Sequence, residues 1–264
     1  MAAPLRKVAL VGGSGHLGPY ILKALQADSA FDVTVVSRQS STANFPPNTN
    51  VVKVSDVYTK DKILDVFKGH NAVVLSLNFA AEFQHHNMLV DASVEAGVKR
   101  LIPFIWGGRI DLLEAQKFFP IAASKASLLD YVRSKVGSAP GWANGLFHDL
   151  SFANLRRRPD RTVYISSFET SMNEILAAYK SATGVSGWKV AHDSVDQGIK
   201  ITQETNKTSQ EFMDKMRAIG LLGLLVGVKK GLGGDFAAEG LSDIELLELP
   251  RSDVTETITQ LLKG

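Results

Sequence analysis

The sequence predicts an α/β chain built on a doubly wound parallel Rossmann sheet, with a small, mostly helical lobe following it. Three observations carry that prediction. Short apolar runs alternate with helical patterns through the first hundred residues, as parallel strands joined by right-handed crossovers require. The runs are apolar without alternation, which suits strands covered on both faces. The first run also breaks into glycines: residues 7–18 read KVALVGGSGHLG, a strand, a tight turn and a helix start in one line.

The elements follow in order. Val8 to Val11 is the first strand, and the segment after the glycines carries Leu17, Ile21 and Leu25 at helical spacing. Val33 to Val36 and Val51 to Val54 read as the second and third strands. Residues 60–68 form a helix with Ile63, Leu64 and Phe67 on one side. Ala72 to Leu77 is the fourth strand, and a helix from about Ala81 to Ala96 follows, stopped by Gly97. Leu101 to Pro103 ends the fifth. Ser124 then reads as the cap of a helix reaching Val136, which sets Lys125, Leu129, Val132 and Val136 on nearly one face. Past a glycine-rich stretch, Gly137 to Gly145, the pattern predicts a short strand near Trp142 to Phe147 and a helix near His148 to Arg157. A strand over Thr162 to Ser166, a helix over Ser171 to Ala182, and helical pieces over 194–204, 208–226, 241–248 and 252–262 complete the chain. The expected division is residues 1–150 as a nucleotide-binding domain, and 151–264 as a last strand plus a substrate lobe packed as one unit with it.

Bulk properties narrow the class. A chain of 264 residues can bury one large core with a small appendage. A formal charge of +2 supplies no strong field, so nucleic acid is not an expected partner. With no cysteine there is no disulfide, thiolate metal site or thiol nucleophile. The longest apolar stretch, residues 219–228, is interrupted by glycines and too short for a bilayer. The expectation is a soluble, cytoplasmic protein without a membrane partner. His85 and His86 lack the further ligands a metal site needs, so no metal is expected.

The chemistry begins at the glycines. A helix start presents unpaired N–H groups and the positive end of a dipole, a seat for a pyrophosphate. Gly12, Gly15 and Gly18 let the backbone approach where a Cβ would hold it off, and Ser14, His16 and Leu17 complete the cofactor loop. An NAD-preferring fold carries an acid about twenty residues further on. This chain has Ser37 and Arg38 there instead, and a guanidinium beside a hydroxyl suits a 2′-phosphate. The implied cofactor is NADPH. Leu77 and Asn78, after the fourth strand, are expected to flank its nicotinamide half.

VALVGGSGHLG, VVSRQSS, VDASVEAGVKRLIP at 90–103, TVYISSFETSMNEILAA at 162–178 and the C-terminal FAAEGLSDIELLELP together resemble the NmrA-like and isoflavone-reductase-like group of atypical short-chain dehydrogenases. The resemblance covers nearly the whole chain. It implies an extended Rossmann domain with a C-terminal substrate lobe, reducing small aromatic or carbonyl substrates with NADPH. The group's regulatory branch implies an alternative: a non-catalytic redox sensor acting on a protein partner. By resemblance Asp56, after the third strand, contacts the adenine. Lys125 matches the group's catalytic lysine, which also holds the nicotinamide ribose. A lysine at a helix N-terminus is destabilised as a cation and can serve as a general acid or base.

Tyr131 and Lys135 form a competing Y-x-x-x-K, but the upstream serine such a pair needs is replaced by Phe118 and Phe119. The chain departs from the group in two places. The polar pair expected after the fifth strand has become apolar, leaving Phe104, Ile105 and Trp106 as a greasy substrate floor. The stretch between Gly137 and Thr162 is shortened, which implies a more open pocket. Calorimetry checks the cofactor reading: NADPH is expected to bind about tenfold or more tightly than NADH, and Arg38→Ala to erase that preference.

Overall fold

The computed structural model describes residues 6–103, 105, 109–135, 143–144, 170–192, 194–229, 238–245 and 251–263. Among the described residues six strands form one parallel sheet: β1 (Lys7–Val11), β2 (Asp32–Arg38), β3 (Asn50–Val54), β4 (Ala72–Leu75), β5 (Arg100–Ile102) and β6 (Ala143–Asn144). Their order is β3-β2-β1-β4-β5-β6. Val8 lies opposite Val33 on one side and Ala72 on the other, and Val11 opposite Val36 and Leu75. The chain therefore winds outward in both directions from the β1–β4 pair, and ligands of such sheets sit beyond the strand ends at that switch point. Val8 to Val11 and Ala72 to Leu75 are fully buried, which is why neither run alternates.

Three helices fill the crossovers: α1 (Gly18–Ala27), α2 (Lys60–Phe67) and α3 (Phe79–Glu95). α1 turns Ile21, Leu22 and Leu25 inward, and α2 turns Ile63 and Phe67. α3 starts where the Asn78 side chain accepts the Ala81 N–H, and it stops before Gly97, whose φ of +72° ends the helix. Val11, Val36, Phe67, Leu75, Leu89, Leu101 and Val132 share one buried cluster. Each such side chain contributes about 1.5–3 kcal/mol of burial.

The remaining helices are α4 (Leu113–Phe118), α5 (Pro120–Ser134), α6 (Met172–Thr183), α7 (Val195–Thr208), α8 (Phe212–Val228) and α9 (Val254–Leu262). The chain divides into two compact units, Met1–Trp106 with Ser127–Val163 and Gly107–Ala126 with Tyr164–Gly264, so the cut passes through α5. Within the second unit α7 and α8 pack closely: a Cβ on Gly198 would stand 3.2 Å from Leu225. Ala115, Ile199, Leu222 and Val226 form a core there. α6 opens with a reciprocal capping box between Ser171 and Glu174 and packs on α9.

Several boundaries differ from the sequence reading. α5 begins at Pro120, not after Ser124; the Ser124 hydroxyl instead donates back to the Pro120 carbonyl from inside the helix. Proline pre-sets the first-turn φ and outweighs the serine cap signal. α4 went unread because six residues are too few to show a helical period. Residues 241–245, expected as a helix, are irregular and follow Gly240 at φ +69°. β4 ends at Leu75, two residues early; the Ser76 N–H still donates to the Val11 carbonyl at 2.8 Å, and Leu77 and Asn78 lie beyond the strand. The readings at Val136, His148 to Arg157, Thr162 to Ser166 and 246–248 lie outside the described residues.

The turn between β1 and α1 is the tightest backbone approach in this region. Gly12 has φ +87°, and a Cβ there would stand 2.3 Å from the Ser76 carbonyl oxygen at the end of β4. A Cβ on Gly18 would stand 2.4 Å from the Gly12 carbonyl oxygen. Gly97, at φ +72°, has nothing within 4 Å of its Cβ position. Thermal denaturation should separate the two kinds of constraint. Gly97→Ala is expected to cost about 1 kcal/mol, the left-handed backbone alone. Gly12→Ala is expected to cost about 3 kcal/mol or more, because a buried clash is added to it.

Candidate nucleotide-binding site

The strand ends and this turn enclose a cleft of about 620 Å³, a size ordinary for a cofactor or small-molecule site. Gly12, Gly13, Ser14, Gly15 and His16 form one wall. The Gly15 N–H donates to the Gly12 carbonyl at 3.1 Å, which closes the turn. α1 begins behind it at Leu17, with no side-chain cap. Its first N–H groups are therefore not capped by a side chain, the condition for anion binding at a helix start. Leu17 is exposed, and Gly18 serves the turn by its contact with Gly12 rather than by lining the cleft.

At one end of the cleft stand Ser37, Arg38 and Ser41, at and just past the end of β2. Ser37 is buried beside its strand and Arg38 is exposed. Asp56 and Tyr58, from the segment after β3, stand near them. The Asp56 carboxylate accepts the Ser40 N–H at 3.0 Å and the Ser40 hydroxyl at 2.8 Å. These bonds, then the nearby Arg38 and Lys53 cations, hold its pKa below the usual aspartate range. Burial pushes the Tyr58 phenol upward in pKa. The Tyr58 ring meets that of His85 at 4.9 Å, tilted.

At the other end, Ser76, Leu77 and Asn78 follow β4, and α3 adds Gln84 and His85. Asn78 lines the cleft while its side-chain oxygen caps α3. His86 is buried and its Nε2 donates to the Leu128 carbonyl at 3.1 Å, a structural role.

The remaining candidates fall elsewhere. Lys125 is half-buried on α5, in its second turn. The expected helix start just before Lys125 is replaced by one at Pro120, and the dipole effect fades beyond the first turn. Ile105 is buried, with its N–H on the Pro103 carbonyl; Phe104 and Trp106 lie outside the described residues. The Y-x-x-x-K pair has a structural explanation. Tyr131 Oη lies 2.9 Å from both oxygens of Asp91, and Lys135 Nζ lies 2.8 Å from one of them.

Sequence reading missed Phe45, Tyr58 and Gln84 as cleft residues and left His85 open between substrate and solvent. Tyr58 was within reach of the strand-end rule, two positions past Asp56. Phe45 sits in an irregular loop with no periodic signal.

Comparison with known proteins agrees with this geometry. Residues 12–136 match the NAD(P)H-binding family model. An oxidoreductase of Aspergillus flavus, aprR, is 28% identical over 303 aligned positions, covering 98% of this chain and 99% of that protein. The alignment is longer than this chain, so part of that relative has no counterpart here. The leucoanthocyanidin reductase–NADPH complex of Vitis vinifera superposes with a TM-score of 0.69 at 13% identity, covering 98% of this chain and all of that one. Isoflavone reductase gives 0.63 at 14% identity, over 98% of this chain and 100% of that one. The sequence resemblance and the doubly wound fold are both borne out. Among the described residues no helix is long and apolar enough to cross a membrane.

The Ser40 bonds make an electrostatic prediction. Asp56 has a folded pKa below its unfolded one, so its contribution to stability is full above the unfolded value and is lost as pH falls through the folded one. A carboxyl-carbon NMR titration should find Asp56 protonating below the ordinary aspartate range, and Ser40→Ala should move that midpoint upward.

Proposed function

We propose that this chain, whose residues 12–136 match the NAD(P)H-binding family model and whose fold is similar to that of isoflavone reductase, is an NADPH-dependent reductase of small, largely apolar carbonyl or aromatic substrates. The observation that carries the cofactor reading is the glycine-walled cleft with Arg38 and two serines at its β2 end. The residues present fit the group. The Gly12 and Gly18 cradle excludes a Cβ, the α1 start lacks a side-chain cap, and an arginine replaces the acid that would select NAD. Gly13 to His16 would hold the pyrophosphate, Arg38 with Ser37 and Ser41 the 2′-phosphate, and Leu77 with Asn78 the nicotinamide half.

Bound NADPH supplies a hydride to an electrophilic carbon. The chain's own part is to bind, to exclude water and to move a proton. Phe104, Ile105 and Trp106 would supply an apolar floor that favours an uncharged substrate. Lys125 is assigned the proton delivered to the substrate oxygen, by its match to the family's lysine.

One observation favours a second reading. The loss of the polar pair at Phe104 and Ile105 removes hydrogen bonds that orient a substrate, as a dinucleotide sensor for a protein partner would tolerate. NADPH oxidation against a panel of hydrophobic ketones, aldehydes and quinones distinguishes them. A reductase gives turnover that falls about a hundredfold or more in Lys125→Ala, with NADPH affinity changed far less. A sensor binds NADPH and turns over nothing in the panel.

A further inference from the structure

The turn after β2 is held from beneath by β3 in a way the nucleotide reading does not require. Arg38 to Ser41 form a turn closed by the Ser41 N–H on the Arg38 carbonyl at 3.1 Å. Lys53, which pairs with Ser37 in the sheet, reaches under this turn. Its Nζ donates to the Ser41 carbonyl at 2.8 Å and the Arg38 carbonyl at 3.3 Å, and lies 3.5 Å from the Ser37 hydroxyl. From the other side Asp56 takes both the N–H and the hydroxyl of Ser40. The Gln39 N–H donates to the Val54 carbonyl at 2.8 Å and extends the ladder by one bond. All four turn residues are thus tied to β3 or the segment after it. What stays on the cleft side is Ser37, the Arg38 guanidinium and Ser41.

We infer that Lys53 and Asp56 are positioning residues for cofactor selectivity: together they fix the Arg38–Ser41 turn so that its cation and hydroxyls are preset for a 2′-phosphate. The inference rests on the NADPH reading above. An exposed four-residue turn left to itself would have to be ordered on binding, at a cost in affinity that falls only on the ligand using the turn. NADH has no 2′-phosphate and does not use it. Asp56 is an unusual neighbour for a dianion, but its Oδ1 is engaged by Ser40 and two cations, Arg38 and Lys53, act on it. The inference also gives Asp56 a task distinct from the adenine contact expected by resemblance. An adenine contact would weaken NADH and NADPH alike; a brace for the turn weakens NADPH alone.

The test is calorimetric binding of NADPH and NADH, separately, to the full-length chain and to Lys53→Met, Asp56→Ala and Asp56→Asn. The expected result is a fall of about five- to tenfold in the NADPH:NADH affinity ratio for Lys53→Met and Asp56→Ala, with NADH affinity nearly unchanged. Asp56→Asn keeps an oxygen acceptor for Ser40, so it is expected to keep the ratio, and it remains informative if the alanine variant folds poorly. Equal weakening of both cofactors, or a ratio unmoved in both Lys53→Met and Asp56→Ala, overturns the brace. A full-length chain with no preference for NADPH overturns the underlying cofactor reading instead, and the two failures are told apart by that first measurement.

Discussion

Everything at the candidate site depends on how closely the backbone after β1 approaches the end of β4. A side chain at Gly12 would collide with the Ser76 carbonyl, and one at Gly18 with Gly12 itself. Parallel pairing of β1 with β4 in register through Val11 and Leu75 forces that proximity. The absence of side chains is what lets the turn fold back and start α1 without a side-chain cap. The proposed 2′-phosphate contacts then lie on a second strand end, β2, apart from the proposed pyrophosphate seat.

Much of this was legible in the sequence. Five parallel strands announce themselves as short apolar runs, and the structure places each within a few residues of the expected position. Gly12 to His16, Ser37, Arg38, Asp56, Leu77 and Asn78 all meet in one cleft, because strand ends of a doubly wound sheet converge. What was not legible has local causes. Pro120 starts α5 earlier than the serine signal at Ser124 implies, and this shifts Lys125 into the helix body. α4 is shorter than two turns. Phe45 and His85 enter the cleft from a loop and a helix flank, where no period marks them.

The Ser40–Asp56 and Lys53 contacts illustrate the limit of motif reading. The residue types are unremarkable, and nothing in their spacing predicts that a lysine on one strand will hold two carbonyls of the preceding turn. Only the register of β2 against β3 brings Ser37 opposite Lys53. The Tyr131–Lys135 pair is the converse case. Its spacing advertises catalysis, and its surroundings, a shared Asp91 carboxylate on α3, explain it as helix-to-helix bonding.

The proposed dinucleotide seat is built on the Gly12–Ser76 approach and read by Arg38. The most direct measurement is the melting temperature as a function of added NADPH. A ligand that binds only the folded state adds RT ln(1 + [L]/Kd), about 2.7 kcal/mol at a hundredfold excess over Kd. The melting temperature is expected to climb with the logarithm of NADPH concentration, and to climb less with NADH. A melting temperature unmoved by millimolar NADPH would contradict it.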